Sequence, residues 1–85
     1  MAYRLKFSSR ALRETGEAQE WYELQNPGLG SEFITAMELQ LKRLEQAPQL
    51  YAEVIPNVRR TLLPRFPFSL FYAVQENLVH VLAVL

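Results

Sequence analysis

Tyr3, Leu5 and Phe7 alternate with Arg4, Lys6 and Ser8, the period of a strand with one buried and one wet face. Ser8 or Ser9 can then accept a bond from an orphan backbone N–H and start a helix, and Arg10 to Gln25 is rich in helix formers with no proline. Within it Ala11, Leu12, Ala18, Trp21, Tyr22 and Leu24 gather toward one side. Arg10, Arg13, Glu14, Glu17, Glu20 and Glu23 fall largely elsewhere, which makes the helix amphipathic. Asn26-Pro27-Gly28-Leu29-Gly30 must turn the chain, because proline pushes its predecessor out of the α region and the glycines permit positive φ. A second helix is expected from Ser31 to Gln46, with Phe33, Ile34, Met37, Leu41 and Leu44 recurring at steps of three and four. Two helices joined by a short turn form an antiparallel hairpin.

Ala47-Pro48 ends that helix, and the stretch to Asn57 reads as a connector with little periodicity. Val58 to Leu63, Phe68 to Val74 and Leu78 to Leu85 are rich in β-branched, aromatic and leucine residues and read as three strands. Gln75-Glu76-Asn77 is short and polar, so the last two strands should form an antiparallel hairpin, while Leu63-Pro64-Arg65-Phe66-Pro67 makes the corner before them. Leu78 to Leu85 barely alternates, which suggests a strand buried on both faces in the middle of a sheet or under a partner. The predicted architecture is α+β in the order β-α-α-β-β-β, a helical hairpin packed on one face of a largely antiparallel four-stranded sheet. The second face of that sheet is left uncovered, and apolar residues there call for a partner.

Composition narrows the function more than the fold. Eighty-five residues, 49% hydrophobic and 12% aromatic, make residues 1–85 a single small domain with one core. No apolar run is long enough to span a membrane and residues 1–20 lack a signal-peptide core, so a cytoplasmic protein is expected. With no cysteine, disulfides and thiol chemistry are excluded, and a single histidine argues against an imidazole-built zinc site. Glu14, Glu17, Glu20 and Glu23 most simply form a wet helix face, and Gly16, Gly28 and Gly30 make no phosphate-binding loop. No metal or cofactor is expected. Nine basic and nine acidic residues sum to zero, yet residues 54–75 hold Arg59, Arg60 and Arg65 and no acid. That is a local anion-attracting patch, far short of the basic field of a protein that binds nucleic acid by phosphate neutralisation alone.

The ordered set of segments resembles the RelE/ParE superfamily of toxins from type II toxin-antitoxin pairs, and within it the plasmid-stabilisation, ParE-like branch. The resemblance runs over nearly the whole chain. It is carried by the Tyr3 to Phe7 strand, Trp21-Tyr22-Glu23, Asn26-Pro27-Gly28-Leu29-Gly30 and Phe33 with the leucines after it. In the closing half it is carried by Val58-Arg59-Arg60, by Arg65-Phe66-Pro67-Phe68-Ser69-Leu70-Phe71-Tyr72 and by Val79-His80-Val81-Leu82-Ala83-Val84-Leu85. It implies a toxin wrapped by a cognate antitoxin in a hetero-oligomer, through strand addition at a sheet edge and a helix laid on the helical hairpin. Leu24, Phe33, Met37 and Leu41 are the candidates for an antitoxin groove, although their helical spacing equally makes them core.

Two activities occur in the superfamily. RelE-like members cut messenger RNA on the ribosome, which needs cations around the scissile phosphate and a group that moves a proton at the 2′-hydroxyl. Arg59 or Arg60 matches the first basic strand position of that branch, but the next basic position matches Ser69, and a hydroxyl does not replace a guanidinium fork on phosphate. Members of either branch usually continue into a basic tail beyond the strand that here ends at Leu85, which leaves an inactive antitoxin-binding homologue as a third reading. ParE-like members inhibit DNA gyrase by binding and have no catalytic site. Zero net charge and sparse arginines favour that branch, with Arg59, Arg60 and Arg65 as target contacts and no catalytic residue. His80 and Tyr72 are more simply structural than proton-transfer groups, one among apolar neighbours and the other a strand tyrosine with its ring in the core.

Overall fold

The structure, a computed structural model, describes residues 2–85. Strand β1 (Arg4–Phe7) leads into helix α1 (Ser9–Gln25), whose N-terminus Ser8 caps by accepting a bond from the Ala11 N–H at 2.9 Å. Helix α2 follows at Leu29–Gln46, then a single 3-10 turn at Pro48–Leu50. The remaining strands are β2 (Glu53–Ile55), β3 (Val58–Leu62), β4 (Ser69–Gln75) and β5 (Leu78–Val84).

All five strands lie in one sheet in the order β1-β5-β4-β3-β2. Only β1 runs parallel to its neighbour, with Leu5 beside Val79 and Phe7 beside Val81; the other pairs are antiparallel. The helical hairpin covers one face. The α+β class therefore stands, with two differences of detail. The segment expected to be a bare connector contains β2, a strand of three exposed residues with no alternation to betray it, so the sheet has five strands rather than four. Helix α2 begins at Leu29 rather than Ser31, because its first N–H groups are capped through space: the Glu23 carboxylate of α1 accepts from Gly28 N at 2.9 Å and Gly30 N at 3.0 Å. Gly28 holds φ +92°, and a Cβ on Gly30 would sit 2.7 Å from the Gln19 carbonyl, so the turn depends on both glycines.

The core lies between the hairpin and the inner face of the sheet. Phe33 and Leu44 of α2 meet Leu70, Tyr72, Val79, Val81 and Val84, all essentially inaccessible to solvent. At one end Tyr22, Phe33, Phe66 and Phe68 form an aromatic cluster with neighbouring ring centroids 4.9–6.2 Å apart. At the other, Gln40 is buried but satisfied, donating to Thr61 Oγ1 at 2.6 Å and Tyr51 Oη at 3.1 Å and accepting from Arg43. The last strand does occupy an interior position, but it is not buried on both faces. Val79 and Val81 point inward while Leu78, His80 and Leu82 are half-buried on the outer face, and the pattern breaks only at a bulge opposite Phe71 and Tyr72, after which Ala83 and Val84 are both buried. No helix among the described residues is long and apolar enough to cross a membrane.

Candidate functional site

The face of the sheet away from the helices is built by the outward half of each strand's alternation. Its register places Arg4 and Lys6 of β1 beside Leu78 and His80 of β5, then Ala73 and Phe71 of β4, then Arg60 and Leu62 of β3. Arg4, Lys6 and Arg60 are exposed, whereas Phe71, Ala73, Leu78, His80 and Leu82 are half-buried because they shield one another across the pleat. Among the described residues no carboxylate stands on the strands of this face between Lys6 and Arg60; Glu76 is off it, in the β4–β5 turn. The face is thus an apolar and aromatic strip with a cation on one flank and two on the other.

The three candidate target contacts do not converge. Arg59 and Arg60 are consecutive strand residues and so point to opposite faces. Arg60 faces the open side, directly across from Phe71. Arg59 turns toward the helix layer, where it donates to the carbonyls of Gln49 and Tyr51 and lies 3.8 Å from the Glu53 carboxylate. It is a half-buried brace that pins the connector to β3. Arg65, at φ +71° in the corner before β4, is paired with Glu32 at the start of α2 at 2.7 Å, with its guanidinium 5.7 Å from the centre of the Phe66 ring. Arg60 alone of the three projects from the open face.

Neither proposed proton mover is placed for catalysis beside Arg60. Tyr72 points into the core and donates to the Pro48 carbonyl at 2.6 Å; burial, partly countered by the Arg59 charge, pushes its hydroxyl up to about 12. It stays a neutral donor at physiological pH. His80 is on the open face, but β4 separates its strand from that of Arg60, a gap of about 10 Å between strands before the offset along them is counted. Ser69 faces outward opposite Leu62, a hydroxyl in a half-buried setting.

The four candidates for an antitoxin groove separate as well. Phe33 and Met37 are 0% and 3% exposed, because their side of α2 packs into the core with α1 and the sheet, so neither lines an open groove in this conformation. Leu41 is half-buried against the core, and Leu24 alone is freely exposed, near Trp21 on the outer face of α1. Sequence reasoning missed Arg4 and Lys6, which share a face with His80 only because β1 lies parallel to β5. It also missed Leu39, Leu50 and Leu62, exposed apolar residues around the free end of β3. Among the described residues no group of three or more His, Cys, Asp or Glu is placed to hold a metal ion.

The molecule's likenesses fit this architecture. A family model described as the ParE toxin of the type II toxin-antitoxin system, parDE, matches residues 5–85. Among solved structures, the chain is similar to one from the chromosomal ParDE toxin-antitoxin system of P. aeruginosa, at 24% identity and a TM-score of 0.83, over 98% of this chain and 94% of that one. It is similar to a chain of the intact E. coli RelBE toxin-antitoxin complex, at 24% identity and a TM-score of 0.74, with the same coverage of 98% and 94%. It also resembles a doubly substituted mutant of the E. coli toxin RelE in the free state, at 21% identity and a TM-score of 0.70, over 99% of this chain and 82% of that one. No curated protein matches the chain.

Proposed function

The chain belongs to the ParE toxin family of type II toxin-antitoxin systems, and from that membership we propose that it acts by contact alone, binding and inhibiting DNA gyrase when free and held inactive by a cognate antitoxin. The observation that carries this reading is the separation of charge on the open face. Arg60 stands by itself over Phe71, three strand spacings, about 14 Å, from the strand that bears Arg4 and Lys6. Phosphoryl chemistry needs cations and a proton-moving group gathered within hydrogen-bond reach of one phosphate. An apolar strip flanked by isolated cations suits a protein surface better, with the aromatic and aliphatic residues supplying area and the arginine a bidentate anchor for a carboxylate.

A second reading rests on a specific observation: His80, Arg4 and Lys6 do share the open face with Arg60, and a strand of RNA crossing the sheet would meet all four in turn. Two assays on the purified chain separate the readings. Gyrase-catalysed supercoiling should be inhibited, and Arg60→Ala should weaken the inhibition at least tenfold. Primer extension on translated messages should show no cleavage. Cut messages that Arg60→Ala or His80→Ala protects, with supercoiling untouched, would replace gyrase by the ribosome. A folded chain that does neither, yet still captures its antitoxin, would be the inactive homologue.

A further inference from the structure

Helix α1 carries three features that work against it as a lone surface helix. The first is Gly16, in the middle of its 17 residues. Gly16 holds no left-handed φ, and a Cβ placed on it would meet no heavy atom within 4 Å, so neither conformation nor packing within the chain requires a glycine there. An alanine would favour the helix. The second is the order of the charges. Arg10 and Arg13 precede Gly16 while Glu17, Glu20 and Glu23 follow it, and the first turn holds no acid and the last no base. A helix dipole favours the reverse, with acids near the N-terminus and bases near the C-terminus. The third is apolar exposure: Leu12, Trp21 and Leu24 are each more than half exposed.

Some of the charges have work within the chain. Glu14, the one acid before Gly16, accepts from Val84 N–H and pairs with Arg10, and Glu23 caps α2. Arg13, Glu17 and Glu20 enter no salt bridge and no side-chain hydrogen bond among the described residues. At about 3.6 residues per turn, Arg13, Gly16, Glu17, Glu20 and Leu24 fall on the side of α1 turned away from the buried Ala11 and Ala18, and all five are exposed.

We propose that this side of α1 pairs with α1 of a second copy of the chain, antiparallel about a two-fold axis between Gly16 and Glu17. With a rise of about 1.5 Å per residue, that axis sets Arg13 of each copy level with Glu20 of the other and within a turn of its Glu17. The two-fold makes each contact twice. The absent side chain at Gly16 lets the helices approach where they cross, and Leu24 of each copy lies over the first turn of the other, along the stem of Arg10. The basic half of each helix then lies against the acidic half of its mate, so the charge order that opposes the dipole of one helix complements the other. A second copy is the occupant that fits, because both halves of the required charge pattern stand on one helix. The helical hairpin covers one face of the sheet, so pairing through its outer side leaves the opposite face, with Phe71 and Arg60, open on both copies.

The test is sedimentation equilibrium of the whole chain from about 10 µM to about 1 mM, a span suited to an interface below about 1,200 Å². The wild type should show a monomer–dimer equilibrium that weakens as salt is raised. Arg13→Glu and Glu20→Arg, both changes at exposed sites, should each weaken dimerisation at least tenfold. Mixed together, the two variants should form a heterodimer of about wild-type strength, because both cross-helix pairs then join opposite charges again. Gly16→Ala should raise the melting temperature of the dilute chain and yet weaken dimerisation several-fold, opposite shifts that a glycine serving only the monomer would not give. A chain that stays monomeric at about 1 mM, a dimer indifferent to both charge reversals, a mixture that fails to associate, or a Gly16→Ala dimer as tight as the wild type would each overturn the proposal.

Discussion

Two strands of the sheet, β5 and β3, each have an edge that no neighbouring strand fully covers, and the molecule treats them oppositely. Strand β1 stops at Phe7, opposite Val81, so the end of β5 has no strand beside it. Ser8, which caps α1, and Glu14 within it take the strand's place. Ser8 N–H bonds the Val81 carbonyl and Ser8 Oγ the Leu82 carbonyl, both at 2.9 Å, and Glu14 Oε1 accepts the Val84 N–H at 2.8 Å. The β3 edge at Leu62 has no such seal among the described residues and is bordered by exposed leucines and cations instead. An edge closed by its own chain stabilises the fold; one left open is a template for another chain. The contrast separates the part of the sheet that the chain closes by itself from the part that it leaves accessible.

The largest expected difference is in amide exchange. Val84 N–H is sealed and its residue is 1% exposed, so it should exchange only through global or near-global opening, while the Leu62 N–H should exchange from the folded state. For a small domain the two rates should differ on the order of a thousandfold or more. Comparable protection at the two positions would erase the distinction between the edges.

Next in size is Glu14→Ala. It leaves the Val84 N–H without its acceptor in a buried setting, for a loss of about 1–3 kcal/mol by chemical denaturation. The Arg10 pair at 2.9 Å adds little to that figure, since Arg10 is half exposed. Ser8→Ala removes a helix cap and the bond to the Leu82 carbonyl together, and should cost about 1 kcal/mol. Should both variants unfold with the wild-type midpoint, the seal contributes nothing.

The seal is also pH-dependent. Burial raises the Glu14 pKa, but the bond from Val84 N–H, the bond from Arg10 and the charges of Arg10 and Arg13 outweigh it, leaving the carboxyl below its ordinary value of 4.5. A group whose pKa is depressed in the folded state contributes stability above its unfolded value and loses that contribution as the pH falls through the folded value. The stability gap between the wild type and Glu14→Gln should therefore be full at about pH 7 and shrink as the pH falls below the ordinary value of 4.5 and through the lower folded value. A gap that widens on acidification would mean that Glu14 does not bond Val84 as a carboxylate.

How far the sequence reveals this contrast depends on the range of the interaction. The alternation in Tyr3 to Phe7, the Asn26 to Gly30 breaker and the Gln75 to Asn77 turn act between near neighbours, and each predicted its element within a residue or two. The Glu23 cap on α2 and the Glu14 seal on β5 act across five to 70 positions of chain, and a glutamate on the polar side of a helix carries no mark of either. Arg59 and Arg60 are adjacent and carry the same group, yet pleating sends one to brace the connector and the other to the open face. Phe33 and Met37 had the spacing of a helix face, and spacing alone does not say whether that face meets the sheet or a partner.

The smallest effect on stability is expected where the effect on function is largest. Leu62→Ala and Arg60→Ala each change an exposed side chain at the open edge of β3, so each should alter unfolding free energy by less than about 0.5 kcal/mol. Arg59→Ala, one residue away, should cost more, since it releases the Gln49 and Tyr51 carbonyls and frees the connector that carries β2. Gyrase inhibition should follow the reverse order, falling with Arg60→Ala and holding with a folded Arg59→Ala. If instead Arg60→Ala unfolds the chain as readily as Arg59→Ala does, the open edge is part of the scaffold, and the division of the sheet into a sealed side and a used side is wrong.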